Sequence, residues 1–363
     1  MRTDASVLMG SGHVMRCLTL AKGMKSIGWQ VSFVCRDFPG NLVELIRNEG
    51  LSVYMLPSPE GDAKIEQTMN PATWLGTDWQ LDAQQTIDVI TQLPHSVDWL
   101  IVDHYAIDEK WETKVSTVVN RILVIDDLAN RKHHCNILLD QNLIADMKER
   151  YVGKINKDAK LLLGPDYALL RSEFRLLREK IPQKKFDPKR ILLFFGGSDP
   201  SNQTMKALEA LMTIKDPPLL VDVVVGKGNP NIQTLQLLCA QHECFRLHVQ
   251  TSKMAELLLN TGFVIGAGGT HTWERCCLGV PSIIIAVADN QIPTSTEVHN
   301  RGIALYLGEA SDVSPHQIAE AVKIFLSNPE IMMNMVTKCL ATVDGCGVER
   351  VIEAIVNYGL KSA

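Results

Sequence analysis

The stretch that decides the fold reads Phe263-Val264-Ile265-Gly266-Ala267-Gly268-Gly269-Thr270-His271-Thr272-Trp273-Glu274-Arg275. Its apolar start predicts a strand, its glycines predict a turn, and its remainder predicts a helix. Glycines let the backbone approach a ligand closely, and the amides and dipole at a helix start favour a phosphate group. We therefore predict a phosphate-binding loop at Gly268-Gly269-Thr270.

Two further features extend this loop into a predicted nucleotide site. Glu274 lies about one turn into the helix, where a carboxylate could accept hydrogen bonds from two ribose hydroxyls. The loop Ala288-Asp289-Asn290-Gln291 follows the next apolar strand and extends the site toward a sugar. The alternative is a plain strand-to-helix turn capped by Thr270. Glu274 and the second loop favour the nucleotide site.

Apolar strands alternate with helices on both sides of this stretch. In the second half we predict strands at 191–195, 219–225, 263–266 and 282–287, and helices at 203–211, 253–259, 272–278 and 315–326, followed by two more. In the first half we predict strands at 31–35, 99–102, 121–125 and 136–139, and helices at 14–27 and 42–48. This alternation is typical of parallel sheets that bind ligands at the carboxyl ends of their strands.

The length of 363 residues predicts two domains, because one hydrophobic core rarely serves so many. Residues 179–190 contain two prolines and five lysine or arginine residues and are predicted to link the domains. We expect a Rossmann-like domain over 1–182, a nucleotide-binding Rossmann-like domain over 190–345, and a last helix over 346–363 that could cross back to the first domain. Residues 57–80 are predicted to form an inserted surface loop.

Composition excludes several classes of partner. The net charge of −5 gives no basic field for nucleic acid, so an anionic ligand must be held by local groups. No apolar run reaches the roughly 18 residues of a membrane-spanning helix, and the N-terminus is too polar for a signal peptide. The nine cysteines are scattered without Cys-x-x-Cys pairs, which is typical of a reducing cytoplasm. The sequence does not indicate an oligomeric state.

Two more glycine-rich turns are candidate parts of the site. Gly196-Gly197-Ser198-Asp199-Pro200 follows a strand, and its amides could meet a diphosphate or a sugar, although Ser198 and Asp199 could equally be turn and capping residues. Gly10-Ser11-Gly12-His13 opens an amphipathic helix whose dipole disfavours a protonated imidazole. His13 could therefore accept a proton from water, although a structural role is the alternative.

Polar residues that follow strands in the first half complete the candidate set. Asp103-His104-Tyr105 lies at a strand end, where Tyr105 could touch the sugar and Asp103 could orient a partner; structural roles remain equally open. Asp126-Asp127 suggests a metal, but no Asp-x-Asp triplet occurs in the chain. His133 and His134 are neighbours on a strand and point to opposite faces. We predict no metal and no cofactor.

The glycine motifs together resemble a known family. Arg2-x-Asp4-Ala5-Ser6 with Gly10-x-Gly12-His13-Val14-Met15-Arg16-Cys17-Leu18, and the second-half motifs quoted above, resemble the UDP-2,4-diacetamido-2,4,6-trideoxy-β-L-altropyranose hydrolases of pseudaminic acid synthesis. That family is similar to the glycosyltransferase that adds N-acetylglucosamine in peptidoglycan synthesis. The likeness runs from residue 2 to roughly residue 310, but the apolar residues expected before Arg2 are absent. The first strand is therefore very short or incomplete at this N-terminus.

The resemblance implies an α/β fold of the glycosyltransferase-B type, with two Rossmann-like domains facing a cleft. It implies metal-independent hydrolysis of a UDP-sugar with inversion, and His13 as the catalytic base. It also implies substrate contacts from Arg2, Asp4, Gly12, Tyr105, Gly197, Ser198, Met254, Gly268, Gly269, Thr270, Glu274, Asn290 and Gln291. A nucleotide diphosphate is a good leaving group, so the carboxylate pair of glycosidases is not required.

Other functions fit part of the pattern. A glycosyltransferase on the same scaffold would need an acceptor surface, for which residues 22–29 are a weak candidate. A non-hydrolysing epimerase is a second alternative. A catalytically silent nucleotide-sugar binding protein would use the Gly268 loop but would leave the motif around His13 unexplained.

Overall fold

The computed structural model describes residues 1–59, 71–181 and 187–360, and in them parallel strands alternate with helices. The chain forms two units. Unit 1 comprises Met1–Gln141, Asp146–Leu169 and Gly347–Ala363, and unit 2 comprises Asn142–Ala145 and Leu170–Cys346. No helix within the described ranges is both long and apolar enough to span a bilayer.

Unit 1 is built on a seven-stranded sheet with the order β3-β2-β1-β4-β5-β6-β7. The strands are β1 Arg2–Thr3, β2 Ser32–Arg36, β3 Ser52–Leu56, β4 Val97–Asp103, β5 Val119–Ile125, β6 Ile137–Asp140 and β7 Lys160–Leu163. Every pairing is parallel. The strand order reverses between β1 and β4, and open α/β sheets bind ligands at the carboxyl ends of strands at such a point.

Unit 2 is built on a six-stranded parallel sheet with the order β10-β9-β8-β11-β12-β13. The strands are β8 Arg190–Phe194, β9 Leu220–Val225, β10 Phe245–Val249, β11 Phe263–Ala267, β12 Ser282–Ala286 and β13 Leu305–Glu309. Phe263, Val264 and Ile265 in β11 are all 0% exposed, because helices cover both faces of this sheet. Burying a side chain of this size stabilises the fold by roughly 1.5–3 kcal/mol.

The helices of the described residues follow in chain order. They are α1 Gly12–Ser26, α2 Val43–Asn48, α3 Trp79–Thr91, α4 Glu109–Val115, α5 Ser172–Arg178, α6 Gln203–Met212, α7 Ile232–Gln241, α8 Met254–Leu259, α9 His271–Cys277, α10 Ile292–Asn300, α11 Pro315–Ser327, α12 Pro329–Thr342 and α13 Gly347–Leu360. Helix α13 follows unit 2 in sequence yet is part of unit 1. There a Cβ on Gly23 of α1 would lie 2.5 Å from Cγ1 of Val348, so only a glycine lets the two helices approach this closely.

The predicted strands and helices are all present, with ends displaced by one or two residues. The elements that were not predicted are β3, β7, β10, β13, α3, α4, α5, α7 and α10. The predicted surface loop at 57–80 lies partly outside the described residues, and α3 already begins at Trp79. The predicted linker also lies partly outside them, and its last residue, Arg190, starts β8.

The short first strand is explained by its partners. Arg2 pairs with Val34 of β2 and with Val102 of β4, so two residues are enough to join the halves of the sheet. Arg2 is a buried charged residue, and its guanidinium bonds to Asp82 of α3 at 2.8 Å. The strand is two residues long, as expected for a first strand that is either very short or incomplete at this N-terminus.

Candidate functional site

The polar centre of unit 1 is built around His13. This residue is the second of α1, is 7% exposed, and places Nδ1 2.6 Å from Oδ1 of Asp103, the last residue of β4. An ionised carboxylate only accepts hydrogen bonds. A neutral His13 therefore donates from Nδ1 to Asp103 and leaves Nε2 as an acceptor for a proton. The predicted orienting role of Asp103 has the geometry that it requires.

Arg16 holds Asp103 from one helical turn further along α1. Its Nε and Nη2 lie 2.5 and 2.6 Å from the two oxygens of Asp103, a bidentate pair. Its Nη1 donates to Oδ2 of Asp127 at 3.0 Å. Burial disfavours the charged form of Asp103, but the cation of Arg16 and the contact with His13 hold the pKa of this carboxyl well below its usual range. Asp103 therefore remains an anion that can stabilise an imidazolium.

Two aromatic rings border the imidazole. The ring of Tyr105 meets that of His13 edge-on with centroids 4.4 Å apart, and Trp74 stacks on Tyr105 at 5.7 Å. The hydroxyl of Tyr105 donates to Oδ1 of Asp127 at 2.6 Å. Burial and the nearby Asp127 raise the pKa of Tyr105 well above its usual value, so this hydroxyl stays protonated.

Arg2 and Asp4, predicted to contact substrate, lie inside unit 1. Their side chains are 0% exposed, and their charged atoms are 2.7 Å apart. Asp82 binds the guanidinium of Arg2, and Oδ1 of Asp4 accepts from the amide of Arg36 at 2.7 Å. With these contacts, Arg2 and Asp4 support the ends of β1 and β2 from inside unit 1, and their side chains do not lie on a surface open to a ligand. Gly12, by contrast, opens α1 with free space around its Cα.

In unit 2 the predicted loop Gly268-Gly269-Thr270 follows β11 and leads into α9. A Cβ on Gly268 would lie 2.8 Å from Oγ of Ser295 and 3.1 Å from Cβ of Gln291, so no larger residue fits. Gly269 has φ +89°, a conformation that side chains other than glycine rarely adopt. The amide oxygen of Gln291 accepts from the amide of Val287 at 3.1 Å, a bond at the second predicted loop, and Gln291 itself lies against Gly268 of the first. Asn290 is exposed in that second loop.

The Gly196-Gly197-Ser198 turn borders the same end of the sheet, because β8 and β11 are adjacent and parallel. Gly197 is exposed and Ser198 is half-buried. Asp199 caps α6 by accepting from the amides of Gln203 and Thr204 at 2.9 and 2.8 Å, so its capping alternative is confirmed. Met254 starts α8 and is 7% exposed, which leaves little of its side chain for a ligand.

Glu274 lies one turn into α9 with 17% of its side chain exposed. Its Oε1 is 3.7 Å from Nη2 of Arg171, and its Oε2 is 3.4 Å from Nε2 of His271. Burial raises the pKa of Glu274 to about 7, against the opposing effect of Arg171. Glu274 is therefore partly protonated near neutral pH and able to become a strong acceptor on losing its proton.

His271 is the first residue of α9, and sequence reasoning did not single it out. Neither ring nitrogen has a hydrogen-bond partner among the described residues, and the ring packs 4.7 Å from that of Phe194. Burial, helped by the charges of Arg275 and Arg171, lowers its pKa well below the usual value. A neutral imidazole, neither of whose nitrogens makes a hydrogen bond within the described residues, thus lies directly after the predicted phosphate-binding loop.

Sequence reasoning also missed Arg16, Asp127, Arg171 and Arg275. Arg16 carried a usable signal, since it lies three residues after His13 on a predicted helix and so shares its face. Asp127 was weighed as a metal ligand, whereas the structure pairs it with Arg16 and Tyr105. Arg171 carried no such signal, because its contact with Glu274 joins segments about a hundred residues apart.

Comparisons with known proteins agree with this architecture. Residues 191–343 match the model of the Glycosyltransferase family 28 C-terminal domain. A Campylobacter jejuni protein described as UDP-2,4-diacetamido-2,4,6-trideoxy-beta-L-altropyranose hydrolase is 27% identical over 304 residues, which cover 83% of this chain and 96% of the relative. The spore coat polysaccharide biosynthesis protein SpsG of Bacillus subtilis is 25% identical over 354 residues, 96% of this chain and 94% of the relative.

Solved structures show the same fold. MurG of Acinetobacter baumannii matches with a TM-score of 0.67 at 14% identity, covering 96% of this chain and 97% of that one. TcCGT1 in complex with UDP matches with a TM-score of 0.69 at 12% identity, covering 99% of this chain and 98% of that one. The chain therefore has a glycosyltransferase-B fold, and the resemblance to the altropyranose hydrolases is confirmed as a similarity of sequence.

Proposed function

We propose that this protein is a metal-independent hydrolase that splits a UDP-linked diacetamido-trideoxy sugar into UDP and free sugar, with inversion, for pseudaminic acid synthesis. The observation that carries the proposal is the pair of His13 and Asp103, which gives unit 1 a general base with its proton-accepting nitrogen fixed. The similarity to the Campylobacter jejuni hydrolase supports the choice of sugar. The fold shared with a UDP complex supports the choice of nucleotide.

The proposed reaction needs one base and one seat for the leaving group. Nε2 of His13 takes a proton from water while the water oxygen bonds to the anomeric carbon from the face opposite the nucleotide. The bond between that carbon and the diphosphate oxygen breaks, and its electron pair leaves with UDP. Asp103 stabilises the imidazolium, and the proton then passes to solvent. A positioned base of this kind accelerates a reaction by roughly 10²- to 10⁴-fold.

The loops of unit 2 are assigned the nucleotide end of the substrate. The amides of Gly268, Gly269 and Thr270 stabilise the charge that develops on the diphosphate, because fixed donors need no reorganisation as the bond breaks. The carboxylate of Glu274 accepts from the ribose hydroxyls. We propose that the sugar or the diphosphate is contacted by Asn290, Gln291, Gly197, Ser198 and the small exposed part of Met254.

A glycosyltransferase is the second candidate, and the match of residues 191–343 to a glycosyltransferase domain favours it. A transferase passes the sugar to an acceptor, whereas a hydrolase passes it to water. Release of UDP from the UDP-sugar in the absence of any acceptor therefore separates the two. Binding of UDP without turnover would instead indicate a nucleotide-sugar binding protein.

The base is tested by His13→Ala. We expect this variant to lose at least 100-fold in turnover, in line with the roughly 10²- to 10⁴-fold effect of a base, while calorimetry shows UDP affinity close to wild type. His316→Ala, an exposed histidine of α11, is the matched control and should keep full activity. Wild-type turnover in His13→Ala would remove His13 from the mechanism.

The broken bond is tested by turnover in ¹⁸O-water. Attack at the anomeric carbon puts the label in the free sugar. Label in the UDP phosphate would show attack at phosphorus and would contradict the mechanism.

A further inference from the structure

Arg275 of α9 is a buried cation without an acidic partner. Its side chain is 0% exposed, and only Nη2 is engaged, donating to the carbonyl of Ala267 at 3.0 Å and to Oγ1 of Thr272 at 2.8 Å. Nε and Nη1 have no hydrogen-bond partner, and none of the ion pairs within the described residues includes Arg275. The other deeply buried arginines differ, since Arg2, Arg16 and Arg36 each pair with an aspartate.

Such a group is costly to keep. An unpaired charge in the interior costs several kcal/mol, and evolution can replace it by an apolar side chain of similar volume at little or no loss of stability. Burial lowers the pKa of Arg275 to about 10, which still leaves the side chain cationic at neutral pH. The charge of Glu274 acts on Arg275 without forming an ion pair with it, and Glu274 is itself partly protonated near neutral pH. Unit 2 therefore holds a positive charge that no hydrogen-bonded acid compensates, and its stability cost calls for a function.

The position of Arg275 connects it to the loop that follows β11. Ala267 is the last residue of β11, and its carbonyl belongs to the same peptide unit as the amide of Gly268. In a trans peptide the C=O and N–H bonds point in opposite directions. Because Arg275 donates to the carbonyl of Ala267, the Gly268 amide points away from Arg275.

We propose that Arg275 is a positioning residue and a buried counter-charge for the diphosphate of the nucleotide: it orients the first amide of the Gly268-Gly269-Thr270 loop and adds positive potential behind that loop without touching the ligand. This inference rests on the proposed nucleotide site and deepens it. The ligand supplies more negative charge than Glu274, the acidic neighbour that acts on Arg275, so the cost of the buried cation falls when a diphosphate binds.

The inference predicts that the effect of Arg275 depends on the charge of the ligand. Calorimetry with uridine, UMP and UDP should compare the wild-type protein with Arg275→Met, which keeps the length of the side chain but not its charge. We expect UDP to bind on the order of 10-fold or more weakly in the variant, as a lost charge interaction in a medium of intermediate polarity implies. UMP should lose less, and uridine should stay within about twofold of wild type.

Two further variants complete the experiment. Arg275→Lys keeps the charge and should recover most of the UDP affinity, and it also tests the idea if the methionine variant does not fold. Arg301→Met is the matched control, because Arg301 is exposed and pairs with Glu297 one turn away; it should bind all three ligands as wild type does.

The possible failures are distinguishable. Equal losses for uridine, UMP and UDP would indicate a purely structural role and would overturn the inference about Arg275. A lysine variant as weak for UDP as the methionine variant would overturn the counter-charge. If the wild-type protein bound no UDP at all, the nucleotide site itself would be wrong.

Discussion

The proposed nucleotide site predicts that binding depends on pH through Glu274. Burial raises the pKa of its carboxyl to about 7 in the unliganded protein, well above the value of about 4.3 expected in water. The proposed contact with the ribose requires the ionised form, which accepts hydrogen bonds from both hydroxyls. Lowering the pH through 7 therefore converts the acceptor into a protonated group that must release its proton before binding.

The magnitude follows from this pKa. Below pH 7 the ionised fraction falls roughly tenfold for each pH unit, and the affinity for the ribose falls by the same factor. We expect uridine to bind about 30-fold more weakly at pH 5.5 than at pH 8.5, with little change above pH 8. The neighbouring groups do not disturb this range: His271 stays neutral because burial lowers its pKa, and Arg275, whose pKa burial lowers to about 10, stays charged.

Calorimetry with uridine over pH 5.5–8.5 measures the effect. Uridine is the right probe because it lacks a phosphate, whose own titration near pH 6 would overlap. Glu274→Gln is the control, since its amide keeps the shape of the side chain and does not titrate; it should bind weakly and equally at every pH. An unchanged dissociation constant for wild type between pH 5.5 and 8.5, or a pH dependence that survives in Glu274→Gln, would refute the ribose role.

Two other predictions concern unit 1. Asp103→Asn should lower turnover by about 10²- to 10⁴-fold without changing UDP affinity. The reason is that the NH2 group of the new side chain would meet the N–H donors of Arg16 and His13 and would disturb the tautomer of the imidazole. Turnover within threefold of wild type would contradict this prediction. Burial opposes protonation of His133, but Asp126 and Glu112 raise its pKa to about 9, above the usual value near 6.5. The protonated His133 therefore adds its full contribution to the free energy of unfolding below about pH 6.5, and this contribution is lost as the pH rises through 9. In urea, the free energy of unfolding of the wild type should fall by on the order of 3 kcal/mol between pH 6 and pH 9.5, and that of His133→Gln should not. Equal pH dependence in both proteins would rule out this role of His133.

The predicted elements were those that local pattern determines. Strands such as β11 and β12 are continuous apolar runs covered on both faces, so they stand out from the helices beside them. Strands β10 and β13 lie at the two edges of the unit 2 sheet and carry polar residues, which removes that signal. In β10, for example, His248 bonds to Asp222 of the neighbouring strand at 2.8 Å, a partner that no local window contains.

In the candidate site, too, residues restricted by local sequence could be predicted, whereas contacts between distant parts of the chain could not. The glycines and His13 were predictable because backbone geometry and helix starts restrict the residue type within a few positions. The buried pairing of Arg2 was not predicted from the sequence, because its partner, Asp82, is eighty positions away in α3. The nitrogens of Arg275 and His271 that lack hydrogen bonds could not be predicted from the sequence, since an unsatisfied polar atom is a property of the surrounding packing and not of the residue itself.

Helix α13 has a consequence for the synthesis of the protein. Val351 and Ile355 are 0% exposed and complete a core that also contains Leu20 and Phe33 from the start of the chain. The ribosome translates α1 early and α13 last, and all of unit 2 is translated between them. The part of the unit 1 core that α13 covers therefore stays exposed while unit 2 is translated, so unit 1 can complete its packing only after all of unit 2 has been made.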